Sequence, residues 1–265
     1  VMKEDIRRAA NKKDKAKSDD RPSLQDIEVQ VEENVEKVSL TRIRQTIAEQ
    51  MSNSKFTIPH ATAMDEFSIK ALVDFRNKYK DKLKNQNTKL TYLPFIIKAA
   101  LVAMKEFPEF NAQLDLDKDK LILKKYYHIG IATDTERGLM VPVVKNAHHM
   151  SLVELAKNIE DVSSRAKKNQ IQIEELRGST FTVTNYGSIG GQFGVPIINY
   201  PETAILGVGR AVEKPIVIDG EIGIAPMLTL SLSYDHRVID GAMAARFLNL
   251  IKDLLSEPEL LLLKS

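Results

Sequence analysis

The chain has 265 residues, 43% of them hydrophobic, enough for one sizeable core with additional segments. Its 38 basic and 36 acidic side chains leave a net charge of +2, which makes no electrostatic case for nucleic acid or an anionic membrane. No cysteine is present, so disulfides, thiolate zinc sites and a protein thiol nucleophile are excluded, and any thiol chemistry must come from substrates.

Residues 7–37 contain few large apolar groups. A basic run (Arg7, Arg8, Lys12, Lys13, Lys15, Lys17) precedes an acidic one (Asp26, Glu28, Glu32, Glu33, Glu36), as expected of a linker that cannot bury enough apolar surface to fold. The acidic half argues against a nucleic-acid arm. From Val38 onward, Ile43, Ile47 and Met51 recur at helical spacing behind an N-cap at Thr41. Residues 61–67 fit a strand, Ser68 can cap a second helix, and Thr91 opens a third ending near Phe107-Pro108. That third segment, Leu93 to Met104, is the best membrane candidate, but it is too short and carries Lys98, so it reads as a buried helix. Strands are expected over 121–123, 127–133 and 139–144. Ser151 with Glu154 makes a capping box for a helix using Leu152, Leu155, Ile159 and Val162.

Residues 181–185 form a β-rich run entering a glycine loop, Gly187 to Gly191, and 204–208 is another strand. Asp219-Gly220 between two apolar runs predicts a hairpin with a type I′ turn. Leu228, Leu230, Leu232 and Tyr234 alternate like a strand with one buried face. A last helix carries Met243, Phe247, Leu250, Ile251 and Leu254 on one side. The mixed order and β-rich second half predict an α+β fold with helices on a mixed sheet.

The most informative stretch is Ser233-Tyr-Asp-His-Arg-Val-Ile-Asp-Gly241. A histidine lies just past a buried strand, in a charged turn, with an aspartate four residues on. Histidine titrates near pH 6.5, which suits proton transfer near neutrality, although a purely structural turn held by Asp235, Arg237 and Asp240 has the same spacing. The loop Gly187-Ser-Ile-Gly-Gly191 lacks the features of a P-loop or a dinucleotide fingerprint. His148 and His149 are adjacent, and neighbouring residues rarely converge on one ion without further ligands, so no metal is expected.

Asp-His-Arg-Val-Ile-Asp-Gly resembles the active-site signature of the dihydrolipoamide acyltransferases, the cores of 2-oxoacid dehydrogenase complexes. The likeness extends in order through Ser39 to Met51, Lys89-Leu-Thr-Tyr-Leu-Pro94, Asn111-Ala112, His128 to Ala132, Gly138 to Pro142, Phe181 to Asn185, Pro196 to Asn199 and Ala204 to Gly207. It implies a chloramphenicol-acetyltransferase-like fold over 38–265 and a trimeric building block. Residues 1–6 are similar to the end of a peripheral-subunit-binding domain, which makes 7–37 an interdomain linker. The lipoyl group would sit on a separate domain.

The resemblance also assigns roles. His236 would be the general base on the thiol of coenzyme A. Thr184, where many members have serine, would donate to the oxyanion, with Asn185 beside it. Asp240 would hold the turn by pairing with Arg42, a structural role close to catalysis. Arg76, Thr91, Asp134, Ser188 and Gly209 would contact coenzyme A. The position near Ser163, glutamine in some members, would be a weaker contact here because serine is shorter. Implied partners are a homotrimer assembling into a cubic or dodecahedral cage, the lipoyl domain, and the decarboxylase and dihydrolipoamide dehydrogenase components held upstream; nucleic acid and membrane are not expected. Overall similarity favours acetyl transfer and a dodecahedral cage. Branched-chain or succinyl transfer, an inert core scaffold and a free-standing acetyltransferase for a hydroxyl substrate are the alternatives. The expected location is the bacterial cytoplasm or an organelle matrix.

Overall fold

The computed structural model describes residues 35–218 and 220–265, which fall into two units divided between Leu40 and Thr41. In the first unit, residues 35–40 have no regular secondary structure. The expected binding-domain remnant (1–6) and most of the expected linker lie outside the described residues.

The second unit opens with α1 (Arg42–Thr57), which starts where the Thr41 Oγ accepts from the Arg44 amide at 3.4 Å. Strand β1 (His60–Ser68) leads into α2 (Lys70–Lys84). Ser68 does accept from the Lys70 amide, but the helix proper starts after Ile69, one position later than a Ser68 cap implies. Helix α3 (Leu93–Glu106) is buried at every residue from Leu93 to Met104. A helix apolar on all sides belongs in the middle of a core. Lys98 is only 4% exposed there, and burial lowers its pKa.

Strands β2 (Ala112–Asp115) and β3 (Lys120–Leu123) form a separate two-stranded sheet. The main sheet has eight strands. Its path is β1, β10 (Glu221–Asp235), β8 (Ala204–Val208), β7 (Phe181–Asn185), β4 (Ile129–Thr135) and β5 (Gly138–Met140). Strand β6 (Val143–Val144) also pairs with β4, and β9 (Val212–Ile218) with β10. The single strand expected over 139–144 is thus two short ones, interrupted at Val141-Pro142. Proline offers no amide to a ladder, and the Pro142 carbonyl instead accepts from the Ile131 amide.

Strands β4, β7 and β8 run parallel, and the remaining pairs are antiparallel, so the sheet is mixed as the α+β reading requires. Helix α4 (Leu152–Lys167) has the expected capping box between Ser151 and Glu154. Helix α5 (Gly241–Ser256) follows β10, and α6 (Pro258–Lys264) ends the chain. Phe110 stacks on Phe247 of α5 at 3.9 Å, with Phe107 and Phe181 at its edges, which ties α5 to the sheet through the core. At the hairpin, Ile218 pairs with Glu221 and Gly220 has a φ of 86°. Asp219, the other half of the expected type I′ turn, lies outside the described residues.

Candidate active site

The Asp235-to-Asp240 turn is rigidly built. Asp235, only 2% exposed, is the last residue of β10, and its amide donates to the Thr203 carbonyl. Its carboxylate accepts from the Arg237 amide and from the guanidinium, down to 2.6 Å, which raises the arginine pKa further. The Asp235 carbonyl accepts from the Val238 and Ile239 amides, and Ile239 is fully buried. His236 is held by its own amide, which donates to the Pro59 carbonyl at 3.1 Å. Its imidazole is exposed and makes no side-chain hydrogen bond among the described residues. The fold therefore fixes the backbone and leaves the ring free to meet something outside the chain.

Asp240 is the N-cap of α5: its Oδ1 accepts from the Met243 amide at 2.7 Å. The expected pair with Arg42 is not formed within the chain. Ser54 near the end of α1 donates to the Ile198 carbonyl, and the Ile198 amide donates to His60 Nε2 beside the His236 turn. Arg42 lies at the other end of that helix, roughly 18 Å away at the usual helical rise.

Thr184 sits at the opposite end of the sheet from His236. It pairs with Gly207, and Gly207 pairs with Ser231. His236 follows Ser231 by five positions, roughly 17 Å along the strand direction. One chain cannot bring the two side chains together. Thr184 instead lines a cleft of about 240 Å³ with Asn185, Ser188, Asp134, Ser163 and Lys167. A site that buries a cofactor-sized molecule usually has about 300–1,000 Å³. This cleft is smaller than that.

The other sequence-predicted contacts divide. Asp134, Asn185 and Ser188 are in the cleft lining, whereas Arg76, Thr91 and Gly209 are not. Asn185 caps the following turn by accepting from the Ser188 amide, and the Ser188 hydroxyl donates back to the Asn185 carbonyl. Arg76 donates from Nε to the Leu90 carbonyl, and its guanidinium lies 5.1 Å from the Tyr92 ring centre, next to Thr91. The need for glycine at 209 is met inside the chain: a Cβ there would strike the Gln192 carbonyl, and Gly187 packs directly on the Gly209 backbone.

Three residues escaped the sequence reading. Lys167 is one helical turn beyond Ser163, so helical spacing alone could have placed it on the same face. Tyr186 hydrogen-bonds Ser231 at 3.0 Å and lies against Gly194 and Gly207, which accounts for small residues spread along the chain. Glu202 is buried beneath the His236 end of the sheet. Its Oε1 accepts from Ser179, Thr182 and Asn199, its Oε2 has no partner, and burial raises its pKa to about 7. Two of the histidines outside the signature have local roles. His60 is fixed at both nitrogens, to the Ile58 carbonyl and the Ile198 amide, and His128 accepts from the Asn146 amide. Among the described residues no three His, Cys, Asp or Glu side chains converge as metal ligands. No helix among them is long and apolar enough to cross a membrane.

The family described as 2-oxoacid dehydrogenases acyltransferase (catalytic domain) matches residues 32–263. The chain belongs to this family. It is 49% identical over 226 residues to the dihydrolipoyllysine-residue acetyltransferase component of the Bacillus subtilis pyruvate dehydrogenase complex, covering 85% of this chain and 51% of that protein. The chain spans about half the length of the curated relatives it matches. Among solved structures, the cubic core of a pyruvate dehydrogenase multienzyme complex superposes with a TM-score of 0.83 at 41% identity, over 86% of this chain and 94% of that one. The same identity, TM-score and coverage hold for the Azotobacter vinelandii dihydrolipoamide acetyltransferase, in a structure concerned with a serine, a histidine and an asparagine in its catalytic mechanism. The expected acyltransferase core fold is the one observed.

Proposed function

We propose that the chain transfers an acetyl group from S-acetyl-dihydrolipoamide, carried on a separate lipoyl domain, to coenzyme A, at a site built by two copies of the chain. The observation that carries this reading is a spacing. In the Azotobacter enzyme the histidine follows the serine by 52 positions and precedes the asparagine by four. Here His236 follows Thr184 by 236 − 184 = 52 and precedes Asp240 by four. Threonine keeps the hydroxyl of serine, and aspartate keeps a polar acceptor at the asparagine position.

A neutral His236 takes the proton from the thiol of coenzyme A. A free thiol has a pKa of about 8.5, so little thiolate exists at neutral pH without a base. The sulfur attacks the acetyl-lipoamide carbonyl, a C–S bond forms, and the carbonyl π pair moves to oxygen. The Thr184 hydroxyl of the neighbouring copy donates to that oxyanion. Collapse breaks the old C–S bond, and the leaving dihydrolipoamide sulfur takes the proton back from the imidazolium. Atoms and charge balance without metal or redox chemistry.

The sheet supports sharing of the site, because it holds the two groups about 17 Å apart along the strands within one copy. A trimer is the smallest closed ring of head-to-tail contacts of the kind that pairs unlike surfaces in every interface. Assembly of such trimers into a cage accords with the cubic core that superposes on this fold. The upstream decarboxylase and dihydrolipoamide dehydrogenase partners belong to the same proposal. The test is an assay of acetyl-, isobutyryl- and succinyl-coenzyme A with dihydrolipoamide. Acetyl should be preferred; a clear preference for isobutyryl would move the protein to the branched-chain class, and activity with none would contradict the enzyme reading.

A further inference from the structure

We propose that Lys167 binds a phosphate of coenzyme A at the mouth of the Thr184 cleft, a deepening that rests on the acyl-transfer reading above. The cleft lining offers hydroxyls, an amide, a carboxylate and a single cation, Lys167. Coenzyme A is a polyanion whose thiol must reach Thr184, so its phosphates trail outward along the cleft walls. They need a cation there, and the candidates read from sequence do not supply it within this chain. Arg76 is outside the lining and engaged with the Leu90 carbonyl and the Tyr92 ring. Arg165, on the same last turns of α4, is held on both sides by Glu175 and Asp161 at 2.7–2.9 Å. Lys167 is exposed and makes no hydrogen bond or ion pair among the described residues.

The geometry of α4 gives this lysine a partner. Ser163 and Lys167 are four residues apart, on one helical face, and both line the cleft. A short hydroxyl followed one turn later by a long, flexible ammonium is a combination suited to a phosphate, which lysine binds as a point charge. A lysine in the last turn of a helix is favoured by the helix dipole in any case, but that effect does not require it to face the cleft. Across the cleft, Asp134 carries the opposite charge. It repels phosphate toward the α4 wall and leaves its own carboxylate to accept from hydroxyl or amino groups of the nucleotide.

The test is steady-state kinetics of the chain and its Lys167→Ala, Lys167→Glu and Lys167→Arg variants, with coenzyme A, dephospho-coenzyme A and pantetheine as acceptors. Lys167→Ala should raise KM for coenzyme A about tenfold with kcat within about twofold, Lys167→Glu should raise it further, and Lys167→Arg should restore most of it. The penalty should vanish with pantetheine, which has no phosphate. A penalty that persists with dephospho-coenzyme A assigns the contact to the pyrophosphate; one that disappears assigns it to the 3′-phosphate. An active Lys167→Glu variant with unchanged KM for coenzyme A, or with an equal penalty for pantetheine, would overturn the assignment. Failure of the unaltered chain to use coenzyme A at all would instead refute the acyl-transfer reading.

Discussion

The fold separates what holds the candidate site from the groups proposed to react in it. Asp235, Arg237 and Asp240 all have partners inside the chain, while His236 and Thr184 make no side-chain hydrogen bond among the described residues. The oxyanion role of Thr184 makes a graded prediction. Thr184→Ser should remain active, and Thr184→Ala should lose about two orders of magnitude, mostly in kcat. Equal activity of the two variants would remove that role. Glu202 makes a second prediction, through stability. Its pKa of about 7 lies above the ordinary 4.5, so between those values the folded state holds a proton that the unfolded state has released. Stability from this group is complete below about pH 4.5 and falls as pH rises toward 7. Glutamine mimics the protonated form, with one oxygen for the same three donors. Thermal midpoints measured from pH 5 to 7.5 should therefore fall more steeply for the unaltered chain than for Glu202→Gln, and parallel curves would contradict the assignment. His236 was legible in the sequence because a signature surrounds it. Glu202 was not, because a glutamate in Pro201-Glu-Thr203 reads as solvated loop until the fold packs Ser179, Thr182 and Asn199 around it.

Elements were legible where local chemistry and burial agreed. The Ser151–Glu154 capping box, the largely apolar α3 and the alternating β10 were all predictable from the residues around them. The separate β2 was missed because Ala112 to Asp115 alternates over only four residues, too short a run to stand out from a loop until it pairs with β3. The leucine tail was half legible. In the sequence, four consecutive leucines, Leu260 to Leu263, read as a connector between trimers, because one short segment cannot hide them all. In α6, Leu261 is fully buried in the chain's own core, while Leu262 and Leu263 are 40% and 85% exposed. Truncation after Glu257 would therefore also remove a core leucine, at a cost of about 2–5 kcal/mol if it behaves like other large-to-small core changes. The cleaner variant is Leu262→Ser with Leu263→Ser. Light scattering should then show active trimers in place of a cage; a cage of unchanged size would refute the connector role.

At the scale of the whole molecule, the sheet itself argues for more than one copy. Residues 221–226 of β10 pair with β9 and with no other strand among the described residues, and the resulting hairpin exposes Val217, Ile222 and Ile224 at 74%, 83% and 71% on one face. It lies toward the Thr184 end of the sheet, since β10 reaches the level of Thr184 only at Ser231. An exposed apolar patch of this kind fits the contact between copies that the proposed shared site requires. The strand register, which holds His236 and Thr184 apart within one copy, is the physical support for the proposed shared site. The central claim is tested most directly by mixing His236→Ala and Thr184→Ala chains, each inactive alone, and refolding them into mixed trimers. Each interface that draws histidine from one chain type and threonine from the other is complete, so an even random mixture should regain about a quarter of the unaltered turnover. Mixed trimers, verified by differential tagging, that stay as inactive as either parent would contradict a site shared between copies.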